Sequence, residues 1–138
     1  MYTNLALEDW LYKNFDFSNQ TLLMLWQSDP CVVIGRHQNP WLEANMPNLQ
    51  ANDMPVARRN SGGGTVYHDN GNLNLTFFTN RDLYNRLGNL EMIVDTLNKE
   101  WGIHAEVNSR KDIMWNGHKV CMSKLHTRFN YKPPKFGF

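Results

Sequence analysis

The sequence is poor in cysteine, and its two cysteines are badly placed for the sites that cysteine usually builds. Cys31 and Cys121 lie far apart without Cys-x-x-Cys spacing, and the five histidines are equally scattered. Disulfide frameworks and structural zinc sites need these residue types in characteristic clusters. We therefore expect a reducing compartment by default and no metal site built by the protein.

The chain also lacks long apolar runs and an excess of charge of one sign. No stretch approaches the length that crosses a bilayer, and the formal net charge is only +1. Neither a membrane nor a nucleic acid is therefore an expected partner. Met1 is followed at once by a helical pattern, so we expect no signal or transit peptide in this chain.

Acidic residues are missing from the last fifteen positions. Residues 1–123 contain ten Lys and Arg against thirteen Asp and Glu, whereas residues 124–138 contain four basic residues and no acid. The tail also has two adjacent prolines and no periodicity, which is typical of disorder. We predict one folded domain over 1–123 and a divergent, disordered tail over 124–138.

The apolar pattern of the body predicts short strands mixed with helices. A helix should run from a cap at Thr3 or Asn4 to about Asn14, with Leu7 and Trp10 in an apolar stripe facing the core. Apolar runs at 22–26 and 31–34 predict two strands that are buried on both faces and joined by a turn.

The second half of the body predicts two hairpins around a helix. One hairpin should pair residues 65–68 with 72–79, and another should turn at Asn116-Gly117, the favoured type I′ pair. Between them, residues 90–101 follow a helical rule, with Asn89 as the cap and Gly102 at the end. This order indicates the α+β class, with a mixed or antiparallel sheet and helices packed on it.

Three consecutive glycines interrupt this pattern between two short predicted strands. Gly62, Gly63 and Gly64 follow Arg58-Arg59, and glycine costs about 1 kcal/mol relative to alanine inside a helix or strand. Such a triplet suits a sharp turn where a ligand approaches main-chain N–H groups, and arginine suits phosphate or carboxylate. The structural alternative is a flexible surface turn with two solvated arginines.

These residues carry a family resemblance. Residues 58–69, RRNSGGGTVYHD, resemble the central motif of lipoate–protein ligases and lipoyltransferases, and residues 4–10, 33–39 and 71–78 are similar to the same family. The resemblance covers about residues 2 to 120, and residues 26–27 and 36–41 are closest to its animal mitochondrial lipoyltransferases. It implies a biotin/lipoate protein ligase-like catalytic domain and a mitochondrial location.

The resemblance also implies a reaction. Members of the family attach a lipoyl group to a lysine through the acyl-adenylate lipoyl-AMP, either accepted ready-made or formed from lipoate plus ATP. The expected partners are apo lipoyl-carrier domains of 2-oxoacid dehydrogenase complexes and of the glycine cleavage system. The expected substrate is therefore lipoyl-AMP, or lipoate with ATP.

Site residues follow residue by residue from the same resemblance. Lys119 matches the catalytic lysine that bridges the acyl carbonyl and the phosphate, and Arg59 matches the arginine that contacts the nucleotide phosphate. The other implied binding residues are Ser61, Gly62, Gly63, Gly64, Thr65, Val66, Tyr67, Arg110 and Asp112. Without the family, Lys119 is a solvated lysine after a hairpin turn. Val33, Ile34, Leu75 and Phe77 fit either a wall around the lipoyl chain or the core, and Arg36 and His37 either a site loop or a polar strand end.

After Lys119 the sequence departs from the family pattern. The family continues with a hydrophobic residue, Ser-Gly-x-Ala and later His-His-Gly-Thr-Leu, whereas here Val120 is followed by Cys-Met-Ser-Lys. A family strand before Tyr2 and a further C-terminal domain are also missing. The sequence therefore supports a lipoyltransferase for ancestry, and for present activity it favours a second hypothesis: a truncated, inactive or weakly active remnant of low stability that at most binds adenylate or a protein. A Cys121–Lys119 pair like that of octanoyltransferases is a remote alternative, because their cysteine motif is absent.

Overall fold

The computed structural model describes residues 1–121 and places them in two compact units, residues 1–82 and residues 83–121. The boundary expected at residue 123 and the tail 124–138 lie outside the described residues. Each unit has its own secondary structure and its own buried side chains, and the two are described separately below.

The first unit contains three helices and five strands. The strand β2 pairs in parallel with β3 and antiparallel with β4, and β1 pairs antiparallel with β5. In chain order, the elements are α1 (Tyr2–Asn14), β1 (Leu22–Trp26), β2 (Cys31–Ile34), α2 (Pro40–Glu43), α3 (Met46–Ala51), β3 (Val56–Arg58), β4 (Val66–His68) and β5 (Asn74–Phe78).

The second unit packs one long helix against a three-stranded antiparallel sheet. Its elements are α4 (Arg86–Trp101), β6 (Ala105–Val107), β7 (Ile113–Trp115) and β8 (His118–Cys121), in the sheet order β6-β7-β8. Leu90 and Val94 of the helix form a buried cluster with Ala105 and Ile113 of the sheet. The helical spacing seen in the sequence therefore marks the face that packs on the strands.

The ends of α4 and the turn after β7 show how local residues set this unit. Gly102 ends the helix in the left-handed conformation, with φ of 62°, as predicted. The helix begins earlier than predicted, because Asn85 and not Asn89 caps it by accepting a hydrogen bond from the Gly88 N–H. Asn116 and Gly117 have φ of 50° and 76°, so the predicted type I′ hairpin is confirmed.

The predicted α+β class is confirmed, since helices accompany mixed and antiparallel strand pairs in the described residues. The predicted hairpin of residues 65–68 with 72–79 is wrong. His68 pairs with Cys31 and Phe78 pairs with Leu22, so the two strands join different sheets. Every residue of β2 is buried, and such a strand needs hydrogen-bonding neighbours on both edges. The strands β3 and β4 supply them.

Two expectations about burial in the first unit are also wrong. No residue of α1 is buried, and Leu7 and Trp10 remain 45% and 57% exposed. No side chain caps the helix, which follows Met1 directly. The helix makes polar contacts with the rest of the unit: the Asn4 side chain donates to the Gln27 carbonyl at 2.7 Å, and the Tyr2 hydroxyl donates to the Val56 carbonyl at 3.0 Å.

The strand β1 likewise alternates instead of being buried on both faces. Leu23 and Leu25 are 40% and 59% exposed, and the neighbouring residues are half-buried. An unbroken apolar run does not by itself distinguish one buried face from two. The expectation of two-sided burial therefore holds for β2 and fails for β1.

Candidate functional site

The glycine loop, which we define as residues 59–65, joins β3 to β4. These strands flank β2 on its two sides, so the loop crosses the end of the buried central strand. The Arg59 N–H donates to the Ile34 carbonyl at 3.0 Å, and the Arg36 N–H donates to the Ser61 carbonyl at 2.9 Å. The glycine loop therefore lies against a second segment, residues 35–38, which we call the adjoining loop.

Arg59 is buried under the glycine loop and binds its main chain. The side chain is only 7% exposed, and its Nη2 donates to the carbonyls of Gly62 at 2.9 Å and Gly64 at 2.7 Å. Nη1 donates to the Val33 carbonyl, and Nε donates again to Gly62, both at 3.2 Å. Burial lowers the pKa of the Arg59 guanidinium, and the negative charge of Glu8 opposes this shift.

Arg59 binds two carbonyls of the glycine loop, and the N–H groups of the loop's three glycines have no acceptor among the described residues. Within residues 1–121, the N–H groups of Gly62, Gly63 and Gly64 donate no hydrogen bond. Gly63 has φ of 100°, which a residue with a Cβ rarely adopts. Successive N–H groups beside a buried cation form a concavity suited to an anion.

Arg58 holds the adjoining loop in the same manner. Its Nη1 donates to the carbonyls of Gly35 at 3.0 Å, Arg36 at 3.2 Å and Gln38 at 2.7 Å. Both arginines are therefore engaged with main-chain carbonyls. The alternative of two solvated arginines is wrong for Arg59, which is buried, whereas Arg58 is exposed.

The remaining predicted residues of this loop differ in exposure. Ser61 is 9% exposed, and its Oγ has no hydrogen-bond partner within residues 1–121. Thr65 and Val66 are half-buried, and the Thr65 hydroxyl donates to Gln38 Oε1 at 2.9 Å. Tyr67 is 52% exposed. This short segment therefore contains one buried hydroxyl, that of Ser61, and one exposed aromatic ring, that of Tyr67.

The predicted residues of the second unit gather at its hairpin. The Lys119 ammonium forms an ion pair with Asp112 at 2.9 Å, and their side chains are 40% and 15% exposed. Asn108 Oδ1 accepts hydrogen bonds from the N–H groups of Arg110 at 3.0 Å and Asp112 at 2.9 Å. The loop before β7 thus fixes the aspartate that holds the lysine, and Arg110 stays exposed.

Comparison with known proteins decides the family. Residues 1–127 match the family model described as the lipoyl protein ligase A/B catalytic domain. The chain belongs to this family. It is 46% identical over 118 residues to the mitochondrial lipoyl amidotransferase LIPT1 of Homo sapiens, which covers 85% of this chain and 32% of that relative. The chain thus spans about a third of the length of this curated relative.

Solved structures agree with the family. The structure of P. falciparum LipL1 in complex with lipoate matches 86% of this chain and 39% of its own, at 36% identity and a TM-score of 0.73. The structure of a lipoate-protein ligase A bound with ATP matches 83% of this chain and 52% of its own, at 27% identity and a TM-score of 0.68. A bipartite ligase of Thermoplasma acidophilum, described with its E2 lipoyl domain, matches 82% of this chain and 46% of its own. The identity is 27% and the TM-score is 0.68.

Two residues that shape the adjoining loop of this ligase-family chain were not identified from the sequence. Gly35 and Gln38 of the adjoining loop received no role, although they lie in a stretch that resembles the family. Their signal in the sequence is weak, because a single glycine and a single glutamine after a strand are common. Of the residues proposed for an apolar wall, Val33, Ile34 and Phe77 are at most 5% exposed, and they belong to the core.

Neither a metal cluster nor a membrane span is found in the described part of this ligase-family chain. Among residues 1–121, no group of three or more His, Cys, Asp or Glu side chains could hold a metal ion. None of the helices in that range is long and apolar enough to cross a membrane.

Replacing Arg59 with lysine should lower the stability of the fold. Lysine keeps the charge but not the planar fork that reaches three carbonyls, so Arg59→Lys should lower the free energy of unfolding by about 2 kcal/mol. The exposed Arg36 is the matched control, and Arg36→Lys should change stability by less than about 0.5 kcal/mol. Urea unfolding followed by tryptophan fluorescence measures both variants, and equal losses would contradict the role given to Arg59.

His68 should make stability depend on pH. Burial first, and then the charge of Arg59, lowers the pKa of His68 below its ordinary value of 6.5, although Asp69 opposes this. The unfolded chain therefore takes up the proton before the folded protein does. The free energy of unfolding should fall as pH drops from 6.5 toward the lower folded-state pKa.

Urea unfolding at a series of pH values checks this dependence. His68→Gln should flatten the slope below pH 6.5, because the variant has no imidazole to protonate on unfolding. The exposed His104 serves as the control, and His104→Gln should keep the slope. An unchanged slope in His68→Gln would show that other groups cause it.

Proposed function

We propose that this chain transfers a lipoyl group from lipoyl-AMP to a lysine of an apo lipoyl-carrier domain. The observation that supports this most directly is the glycine loop, where buried Arg59 binds two carbonyls and three successive glycine N–H groups have no acceptor within residues 1–121. An adenylate phosphate is an anion that such N–H groups can bind. Membership in the ligase family makes lipoate the natural acyl group.

The reaction needs charge stabilisation at two places. The carrier lysine amine attacks the acyl carbonyl, the bond between the carbonyl carbon and the phosphate oxygen breaks, AMP leaves, and the amine gives up a proton to solvent. Negative charge builds on the attacked carbonyl oxygen and on the departing phosphate. Preorganised donors at both positions lower the barrier.

We assign to the Lys119 ammonium the hydrogen bonds to the acyl carbonyl oxygen and to the bridging phosphate oxygen. Its ammonium has three N–H donors, and the ion pair with Asp112 uses one of them, which leaves two for the substrate. Asp112 then orients the ammonium. Arg110 and Tyr67, both exposed, are assigned to contacts with the adenylate, together with Ser61, Thr65 and Val66.

The biological setting follows from the relatives. The LIPT1 relative is mitochondrial by name, so we assign this chain to mitochondria. The Thermoplasma ligase was studied with an E2 lipoyl domain, and we propose carrier domains of this kind as acceptors. Lipoyl-AMP accepted ready-made is the first candidate substrate, with lipoate plus ATP as the second.

Calorimetry with a non-hydrolysable lipoyl-AMP analogue tests the binding half of this proposal. The 138-residue chain should bind the analogue at least about tenfold more tightly than AMP or lipoate alone, because the analogue engages both the phosphate and the acyl contacts. Binding of the analogue no tighter than AMP would contradict an acyl-adenylate site. Tight binding without transfer to a carrier would favour the second hypothesis, a non-catalytic binder.

A further inference from the structure

The glycine loop and the adjoining loop touch through their main chains. A Cβ added to Gly35 would lie 2.0 Å from the Gly63 carbonyl oxygen, so the two backbones approach more closely than any side chain allows. The Arg36 N–H also donates to the Ser61 carbonyl at 2.9 Å. The shape of the glycine loop therefore depends on where the adjoining loop is held.

One half-buried side chain connects the two loops at their other end. Gln38 Oε1 accepts hydrogen bonds from the Gly35 N–H at 3.0 Å and from the Thr65 hydroxyl at 2.9 Å. The main-chain N–H of Gly35 can only donate, so the amide oxygen and not the amide nitrogen must face it. The Thr65 hydroxyl, which meets the same oxygen, must therefore donate its only proton to Gln38.

We propose that Gln38 is a positioning residue for the glycine loop and sets the polarity of the Thr65 hydroxyl. With its proton committed to Gln38, this hydroxyl can act toward a ligand only as an acceptor. Phosphate oxygens are then bound by glycine N–H groups, and the threonine oxygen is left for a hydroxyl or an N–H group of the ligand. The ligand named in this inference rests on the proposed function, whereas the loop geometry does not depend on it.

Four variants separate positioning from general packing. Gln38→Met keeps the size of the side chain and removes both hydrogen bonds, whereas Gln38→Glu keeps two acceptor oxygens. Thr65→Val removes the hydroxyl, and Thr65→Ser keeps it. The exposed Gln50 of α3 provides the matched control, Gln50→Met.

Hydrogen exchange of the Arg36 N–H, which donates to the Ser61 carbonyl of the glycine loop, is measured first on the full chain. Gln38→Met should speed this exchange about tenfold, which corresponds to one lost hydrogen bond of ordinary strength. Gln38→Glu and Thr65→Ser should stay within about threefold of the unmodified chain. The double variant Gln38→Met/Thr65→Val should match Gln38→Met alone, because both changes remove the same bond.

Affinity for the lipoyl-AMP analogue is the second measurement. Gln38→Met should weaken binding about tenfold, and Gln50→Met should leave it unchanged. If Gln38→Met changes both the exchange rate and the affinity by less than about twofold, the proposal is overturned. It is also overturned if the effects of Gln38→Met and Thr65→Val multiply fully in the double variant. If the unmodified chain does not bind the analogue while loop exchange responds as described, the proposed function fails and the positioning role stands.

Discussion

Lys119→Met should lower lipoyl transfer from lipoyl-AMP to an apo carrier domain by at least about 100-fold. Methionine keeps most of the length of the side chain but removes the ammonium that we assign to the acyl carbonyl and the phosphate. Loss of one preorganised donor at a developing negative charge costs about 100- to 1,000-fold in rate. The ion pair with Asp112 is partly exposed, so stability should fall by at most about 1 kcal/mol.

The control for this variant is another lysine paired with an aspartate. Lys99 lies 3.8 Å from Asp95 on α4, and its side chain is 75% exposed. Lys99→Met should leave single-turnover transfer within about twofold of the unmodified chain, as surface substitutions usually do. If both variants lose transfer equally, general charge and not a positioned lysine promotes the reaction.

Gly35→Ala should damage both folding and adenylate binding. The new Cβ would collide with the Gly63 carbonyl oxygen at 2.0 Å, and neither backbone can yield without moving its loop. Overpacking of this kind costs about 1 to 3 kcal/mol, so thermal unfolding should shift down by several degrees. Calorimetry should show no saturable binding of the lipoyl-AMP analogue.

A second glycine in the same region offers a matched comparison for stability. A Cβ at Gly62 would meet nothing within 4 Å, so Gly62→Ala should unfold at the same temperature as the unmodified chain or slightly above it. The contrast isolates the close approach from the general effect of losing a glycine. Equal destabilisation by the two substitutions would mean that the loops do not meet as described.

Local patterns in the sequence were sufficient for most elements. Asn116-Gly117 predicted its hairpin because a type I′ turn depends only on residues within the turn. Gly102 predicted the end of α4 for the same reason. The strands that pair with β4 and β5 were predicted wrongly, because the choice of sheet neighbour depends on the burial of β2, which is distant in the chain.

The sequence could point to candidate site residues but not to their contacts. The string around the glycine triplet pointed to Arg59 and to the loop, yet it could not show that Arg59 binds carbonyls of that loop. Nor could it show that Gly35 meets Gly63, because this contact joins segments separated by almost thirty residues. Contacts of this kind are set by tertiary packing and have no periodic signal.

Transfer to a carrier domain is the most direct test of the central claim. The purified chain is incubated with lipoyl-AMP and an apo E2 lipoyl domain, and the carrier is weighed by intact-mass spectrometry. The account predicts that the carrier gains one lipoyl group over several turnovers, and that a carrier whose acceptor lysine is replaced by arginine gains none. A carrier that stays unmodified, with a chain that is folded and saturated with lipoyl-AMP, would contradict it.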